Sequence, residues 1–186
     1  MKATERELWV LNFYRNSELH GALLMGRLAR TVPDDDVLVP VTRHCATEAR
    51  HAAMLSEAIA SLGGRIDPRI ETVQQHYSAK GGIPTSLLDL LVLSEVLERR
   101  VLATYRAHVA SPDAHPEVRR TLRAILDDME HEDHGEGESW IERALGGLPA
   151  ELVEAAERRW RAVDQTVAAE LEEMVTSRFA AVERRA

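Results

Sequence analysis

Apolar residues recur along most of this chain at alternating spacings of three and four, the period of a helix that buries one face. Over residues 4–31 the stripe is Leu8, Leu11, Arg15, Glu18, Ala22, Met25 and Ala29. Over 37–62 it is Val41, Cys45, Glu48, Ala52, Leu55, Ile59 and Leu62, and over 85–109 it is Leu88, Leu91, Glu95, Glu98, Leu102, Tyr105 and Val109. Two further helices are predicted over 116–145 and 150–184, and no stretch alternates with period two long enough to suggest a strand. Glycine and proline punctuate the segments at Pro33, Gly63-Gly64, Gly81-Gly82-Pro84, Ser111-Pro112, Pro116 and Gly146-Gly147-Pro149. The expectation is an all-α single domain over residues 1–186, with a four-helix bundle over 4–147 and an additional C-terminal helix over 150–184.

Three of these stripes carry acids where an apolar residue belongs. Glu18 sits mid-stripe in the first helix, Glu48 in the second, and Glu95 and Glu98 occupy consecutive positions in the third. His51 lies one step beside the second stripe and three residues after Glu48, so both side chains leave the same helix face and can hold one ion. The spacing alone is uninformative, because composition predicts roughly 1.3 such acid–histidine pairs by chance and two occur, Glu48 with His51 and Asp128 with His131. The placement is what carries weight. A buried ionised carboxylate loses several kcal/mol of solvation, so acids from three helices at one depth point to a compensating cation. Taken singly, each acid is equally well explained by a salt bridge or a cavity water.

The fourth predicted helix fits less well. Val118, Leu122, Ile125, Met129 and Trp140 define a face that also holds Glu132 and Glu136. His131 falls about 160° from its centre, and Asp128 lies on its shoulder. Phase therefore favours Met129 and Glu132 as the inward pair, and residue type favours Asp128 and His131. Superposing the first helical hairpin on the second pairs Leu8 with Leu88, Leu11 with Leu91, Glu18 with Glu98, Glu48 with Met129 and His51 with Glu132, so the halves read as copies.

On these residues the chain resembles the ferritin-like di-iron carboxylate superfamily, whose pattern is a Glu on one helix and Glu-x-x-His on the next, repeated once. The resemblance spans roughly residues 4–145. It implies a ferritin-like four-helix bundle with a long crossover between helices two and three. It also implies metal-ligand roles for Glu18, Glu48, His51 and Glu98, with Glu95 and Glu132 as further carboxylates and Asp128 and His131 as the alternative on the fourth helix. The connection from Gly63 to Pro84, about 20 residues at about 3.3 Å each, is long enough to run the length of a helix of about 26 residues, near 39 Å. The turns at Pro33 to Asp36 and Ser111 to Pro116 are short, as such a bundle requires.

Composition adds limits. Only 4% of residues are aromatic and 45% are hydrophobic, and the formal charge of −8 argues against a general affinity for nucleic acid. No apolar run reaches bilayer length. The first residues lead into an amphipathic pattern rather than a signal core, so a cytoplasmic protein is expected. The single cysteine, Cys45, rules out an internal disulfide and reads as a buried structural thiol. His44, one turn before Glu48, reads as a helix-packing histidine with a partner of Glu48 as the alternative. His20, His76, His108 and His115 read as lying on solvated faces or loops, Tyr14 and Tyr105 as pocket-lining, and Trp140 as core packing with closure of one end of the cavity as the alternative. The charged fifth helix is expected to cover an end of the bundle or to mediate a homodimer.

The leading expectation is a metal-binding protein, with iron, iron and manganese, or a single metal ion as cofactor. It would act as an O₂-dependent oxidase or oxygenase on a small organic substrate, with an electron donor the sequence does not name. A redox-inactive binding or scaffold module with a degenerate metal site is the alternative, and iron oxidation and storage a further one.

Overall fold

Thr4 starts the first helix with a reciprocal cap: its hydroxyl accepts from the Glu7 amide at 3.1 Å and the Glu7 carboxylate accepts from the Thr4 amide at 3.0 Å. The described residues of the computed structural model are 3–30, 32, 35–133 and 139–183, without the side chains of 131–133 and 175–183. Among them lie seven helices and no strand: α1 (Glu5–Ala29), α2 (Asp35–Ser61), α3 (Val73–Gly81), α4 (Leu87–Ala110), α5 (Pro116–Asp133), α6 (Trp140–Gly146) and α7 (Ala150–Glu183). The all-α expectation holds for these residues. None of the helices is long and apolar enough to cross a membrane.

α1 packs along α2, α4 meets α5, and α2 also meets α5. Leu11, Tyr14, Leu55, Ile59, Tyr105, Val118, Leu122 and Ile125 join these four helices in one buried cluster. A second cluster, Met25, Leu28, Val32 and Val41, closes α1 against α2 further along. Between the two, on α1, come Ser17, Glu18 and Gly21, so a polar level interrupts the core.

Gly63 ends α2 at φ +73°, and the Gly64 amide reaches back to Ile59 O at 2.9 Å, closing the last turn. The chain then crosses toward α4 along a row of polar side chains on α1. Asn12 donates to Arg65 O at 3.1 Å and accepts from the Asp67 amide at 2.8 Å. Asn16 donates to Asp67 O and Ile70 O at 3.0 and 2.9 Å, and Ser17 accepts from the Val73 amide at 3.0 Å. These residues are buried because they satisfy backbone groups that the irregular part of the connection leaves open. The long connection expected from sequence also contains α3, which was not expected; Thr72 and Gln75 form its capping box.

Two further departures concern the C-terminal half. The predicted 116–145 helix is two helices: α5 runs to Asp133, and Ser139 caps a new start at Trp140 by accepting from the Glu142 amide at 3.1 Å. Two glycines, Gly135 and Gly137, separate them in sequence. α7, expected at a bundle end or in a dimer, packs along α3 and α4. Trp160, fully buried, donates to Asp89 Oδ1 at 3.0 Å, and Arg100 donates to Asp164 through Nε at 2.9 Å and Nη2 at 2.5 Å.

Candidate functional site

Glu18 from α1, His44, Glu48 and His51 from α2, Glu98 from α4 and Met129 from α5 line one cavity of about 70 Å³. Helical spacing puts His44, Glu48 and His51 on one face at intervals of four and three. His44 Nε2 lies 3.2 Å from Glu48 Oε1 and 3.3 Å from Glu98 Oε1, so one imidazole joins carboxylates of two helices. His51 Nδ1 lies 3.4 Å from Glu18 Oε2. The other Glu18 oxygen accepts from the Tyr105 hydroxyl at 2.5 Å. The His51 and Glu18 side chains are only 3% and 7% exposed.

Gly21 makes this arrangement possible. A Cβ at that position would fall 2.1 Å from Glu48 Oε2 and 2.7 Å from its Cδ, so the Glu48 carboxylate occupies the space a side chain would take. Burial pushes the Glu48 carboxyl above its ordinary value; the nearby Glu18 charge adds to this, and the hydrogen bond to His44 opposes it. Burial, with the Glu18 charge behind it, pushes the Tyr105 hydroxyl well up as well, so Tyr105 stays a donor.

The site therefore gathers Glu18, Glu48, His51 and Glu98, as the sequence pattern anticipates, together with Met129 by phase. Glu95 is elsewhere. It pairs with Arg99 one turn on and faces Glu157 and Glu142 of α7 and α6, because α4 is covered on that side by those helices. Asp128 is not in the cavity wall: it accepts from Arg50 Nε at 3.1 Å and lies 3.6 Å from His51 Nε2, behind the imidazole. Glu132 and His131 fall on the last turn of α5, and their side chains lie outside the described residues.

Sequence reasoning missed four participants. His44, weighed only as the lesser reading, joins the cluster through Glu48 and Glu98, and the His-x-x-x-Glu-x-x-His spacing was the signal for it. Tyr105 was placed near a pocket without its bond to Glu18. Gly21 gave no pattern, and Gln74 entered the wall from the unexpected α3. All four histidines read as lying on solvated faces or loops are half-buried; among them, His108 Nδ1 is 3.3 Å from the Tyr14 hydroxyl and His20 Nδ1 is 2.8 Å from Thr72 Oγ1, and burial lowers the pKa of both. Cys45 donates to Ala22 O at 3.1 Å and is half-buried rather than fully buried as expected. Trp140 lines the cavity with its ring 5.8 Å from that of His44.

Donor atoms sharing one ion through bonds of about 2.0–2.2 Å lie roughly 3.0–3.5 Å apart. The contacts at 3.2, 3.3 and 3.4 Å have this spacing. As a set they do not close: among the described residues no three His, Cys, Asp or Glu form a group that could hold a metal ion. The donors stand instead as two neighbouring groups, His44 with Glu48 and Glu98, and His51 with Glu18. Compared with protein-family models, curated proteins and solved structures, the chain gives no match in any of the three.

Proposed function

We propose that this chain is a ferritin-like metal protein that binds iron, alone or with manganese, in the cavity and oxidises a small organic substrate with dioxygen. The observation that carries the reading is the meeting of Glu18, Glu48 and Glu98, from three helices, with two imidazoles at one interior level. Three carboxylates there repel one another and are poorly solvated, so the arrangement favours a bound cation. The side chains would have to close on it, His44, Glu48 and Glu98 from one side and Glu18 and His51 from the other, because among the described residues no three such donors converge on one point as they stand. When bound, iron would supply the binding and reduction of dioxygen.

The chain's own groups would set the geometry. Tyr105 fixes one Glu18 oxygen and leaves the other toward His51. Asp128, itself held by Arg50, lies 3.6 Å from His51 Nε2, a charge behind the imidazole but beyond hydrogen-bond reach. Leu90, Leu93, Leu97 and Trp140 give part of the wall an apolar lining.

Metal analysis of protein from iron-supplemented expression tests this. The parent chain should carry about one equivalent or more of a transition metal, and Glu48→Ala and Glu98→Ala should lose most of it. Less than about 0.2 equivalents in the parent, or equal occupancy in all three, rejects the reading.

One observation favours a second reading, a redox-inactive binding module. Met129 stands in the cavity wall where the internal comparison pairs it with Glu48, and a thioether is a poor ligand for hard iron. On this reading the two imidazoles and the Tyr105 hydroxyl satisfy the carboxylates without a metal ion, and the purified protein is metal-free at full stability.

A further inference from the structure

Gln74 enters the cavity wall from α3, inside the connection between α2 and α4, and its side chain is buried. Its Nε2 donates to Ser17 O at 3.0 Å. A backbone carbonyl only accepts, so this bond fixes which end of the amide is nitrogen and directs Oε1 elsewhere. Ser17 is itself pinned: its hydroxyl donates to Phe13 O at 2.8 Å and accepts from the Val73 amide at 3.0 Å. The amide thus has no freedom to rotate toward another partner without breaking a buried bond. Oε1 is buried and has no donor among the described residues. Buried acceptors are seldom left so, and one held rigidly in a cavity wall is a ready binding group.

We propose that Gln74 Oε1 accepts a hydrogen bond from the N–H or O–H of a small, neutral, otherwise apolar organic molecule, and so orients it beside the acid–histidine cluster. This deepens the reading above and rests on the cavity being the reacting site. The cavity, at about 70 Å³, is under half the roughly 150 Å³ that accommodates benzene, so the guest is smaller than benzene. Leu90, Leu93 and Leu97 supply the apolar contact. A neutral donor suits this group better than a cation, which would be drawn to Glu48 and Glu98 instead.

Pyrrole and furan are the probes: five-membered rings of nearly equal shape, of which only pyrrole carries an N–H. Each is titrated into the full chain, wild type and Gln74→Met, with binding followed by ligand-observed NMR and metal content measured on the same samples. The wild type should bind pyrrole about tenfold more tightly than furan. Gln74→Met should weaken pyrrole to the level of furan and leave furan unchanged, which also shows the variant folded. Equal affinities in the wild type, no binding of either ring, or a pyrrole preference that survives Gln74→Met overturns the proposal. The wild-type comparison decides even if the variant fails to fold. A pyrrole preference in metal-free protein would leave this inference standing while the metal reading fails, and metal-loaded protein without the preference would do the reverse.

Discussion

The Tyr105 hydroxyl on α4 donates to Glu18 Oε1 on α1 at 2.5 Å, through a carboxylate whose other oxygen faces His51. Both residues are almost fully buried, so the bond forms where the surroundings screen charge least. The Tyr105 ring also packs against Tyr14, centroids 4.7 Å apart, and a phenylalanine keeps that contact. Tyr105→Phe therefore isolates the hydroxyl. Removing a donor from a buried carboxylate should cost about 2 kcal/mol, read as a lower urea midpoint with unchanged slope. An unchanged midpoint would mean that Glu18 is satisfied without Tyr105.

Gly21→Ala separates stability from site geometry. The new Cβ meets only the far end of Glu48, which can swing away, and a helix-interior alanine gains up to about 1 kcal/mol over glycine. The unfolding midpoint should thus move little. The Glu48 carboxylate, however, has to leave its place beside His44, and iron retention after dialysis should fall at least about tenfold. Retention at the parent level would remove Glu48 from the ligand set.

Asn16 carries a different load, holding the carbonyls of Asp67 and Ile70 through one amide. Asn16→Ala strands both acceptors and should cost about 1–3 kcal/mol. Hydrogen exchange localises the effect: the Val73 amide, bonded to Ser17 at the end of the same row, should lose protection before amides of the α1–α2 contact do. Uniform loss of protection would mean that the connection is not held separately.

These side chains mark where the sequence was readable and where it was not. α1 and α2 have one face against the interior, so the three–four spacing through Leu11, Glu18, Val41, Glu48 and Leu55 identified the inward positions. α4 is covered on two sides. Leu91, Val92, Leu93 and Ser94 are buried in succession, and no period can then choose between neighbours. That is why Glu95 was grouped with Glu98 although it faces α6 and α7. Asn12, Asn16 and Ser17 stood out in no pattern, because polarity says nothing of whether water or a crossing backbone satisfies it. The Ser139 and Thr72 caps were legible as Ser-x-x-Glu and Thr-x-x-Gln, but α6 and α3 are too short for periodicity to announce them.

Asp164 gives a pH dependence of definite sign. Burial raises its carboxyl, but hydrogen bonds from Arg100 and Tyr77 and the Arg100 charge outweigh burial and hold it below its ordinary value of 3.8. A carboxyl depressed in the folded state contributes stability above its unfolded pKa and loses it as pH falls toward the folded one. Arg100 is one-third exposed, so the contribution is about 1 kcal/mol. Asp164→Asn should be less stable than the parent by that amount near about pH 6, and the gap should close by about pH 3. A gap that persists in acid would show that the charge on Asp164 is not what docks α7.

Met129→Glu puts the two functional readings in opposition. The internal comparison pairs Met129 with Glu48, so the change restores the carboxylate that a second half-site would have, in the wall that already holds Glu98. Without a cation, a further buried acid beside Glu48 and Glu98 should destabilise the fold by several kcal/mol. With one, the new oxygen is a ligand, and binding to the folded state alone raises the melting temperature in proportion to ln(1 + [metal]/Kd). On the metal reading, adding Fe(II) or Mn(II) under nitrogen recovers the loss and brings metal content above that of the parent. On the binding-module reading, the variant stays destabilised at every metal concentration. Recovery by Mg(II) alone would count against a transition-metal site, because imidazole donors favour the transition ions.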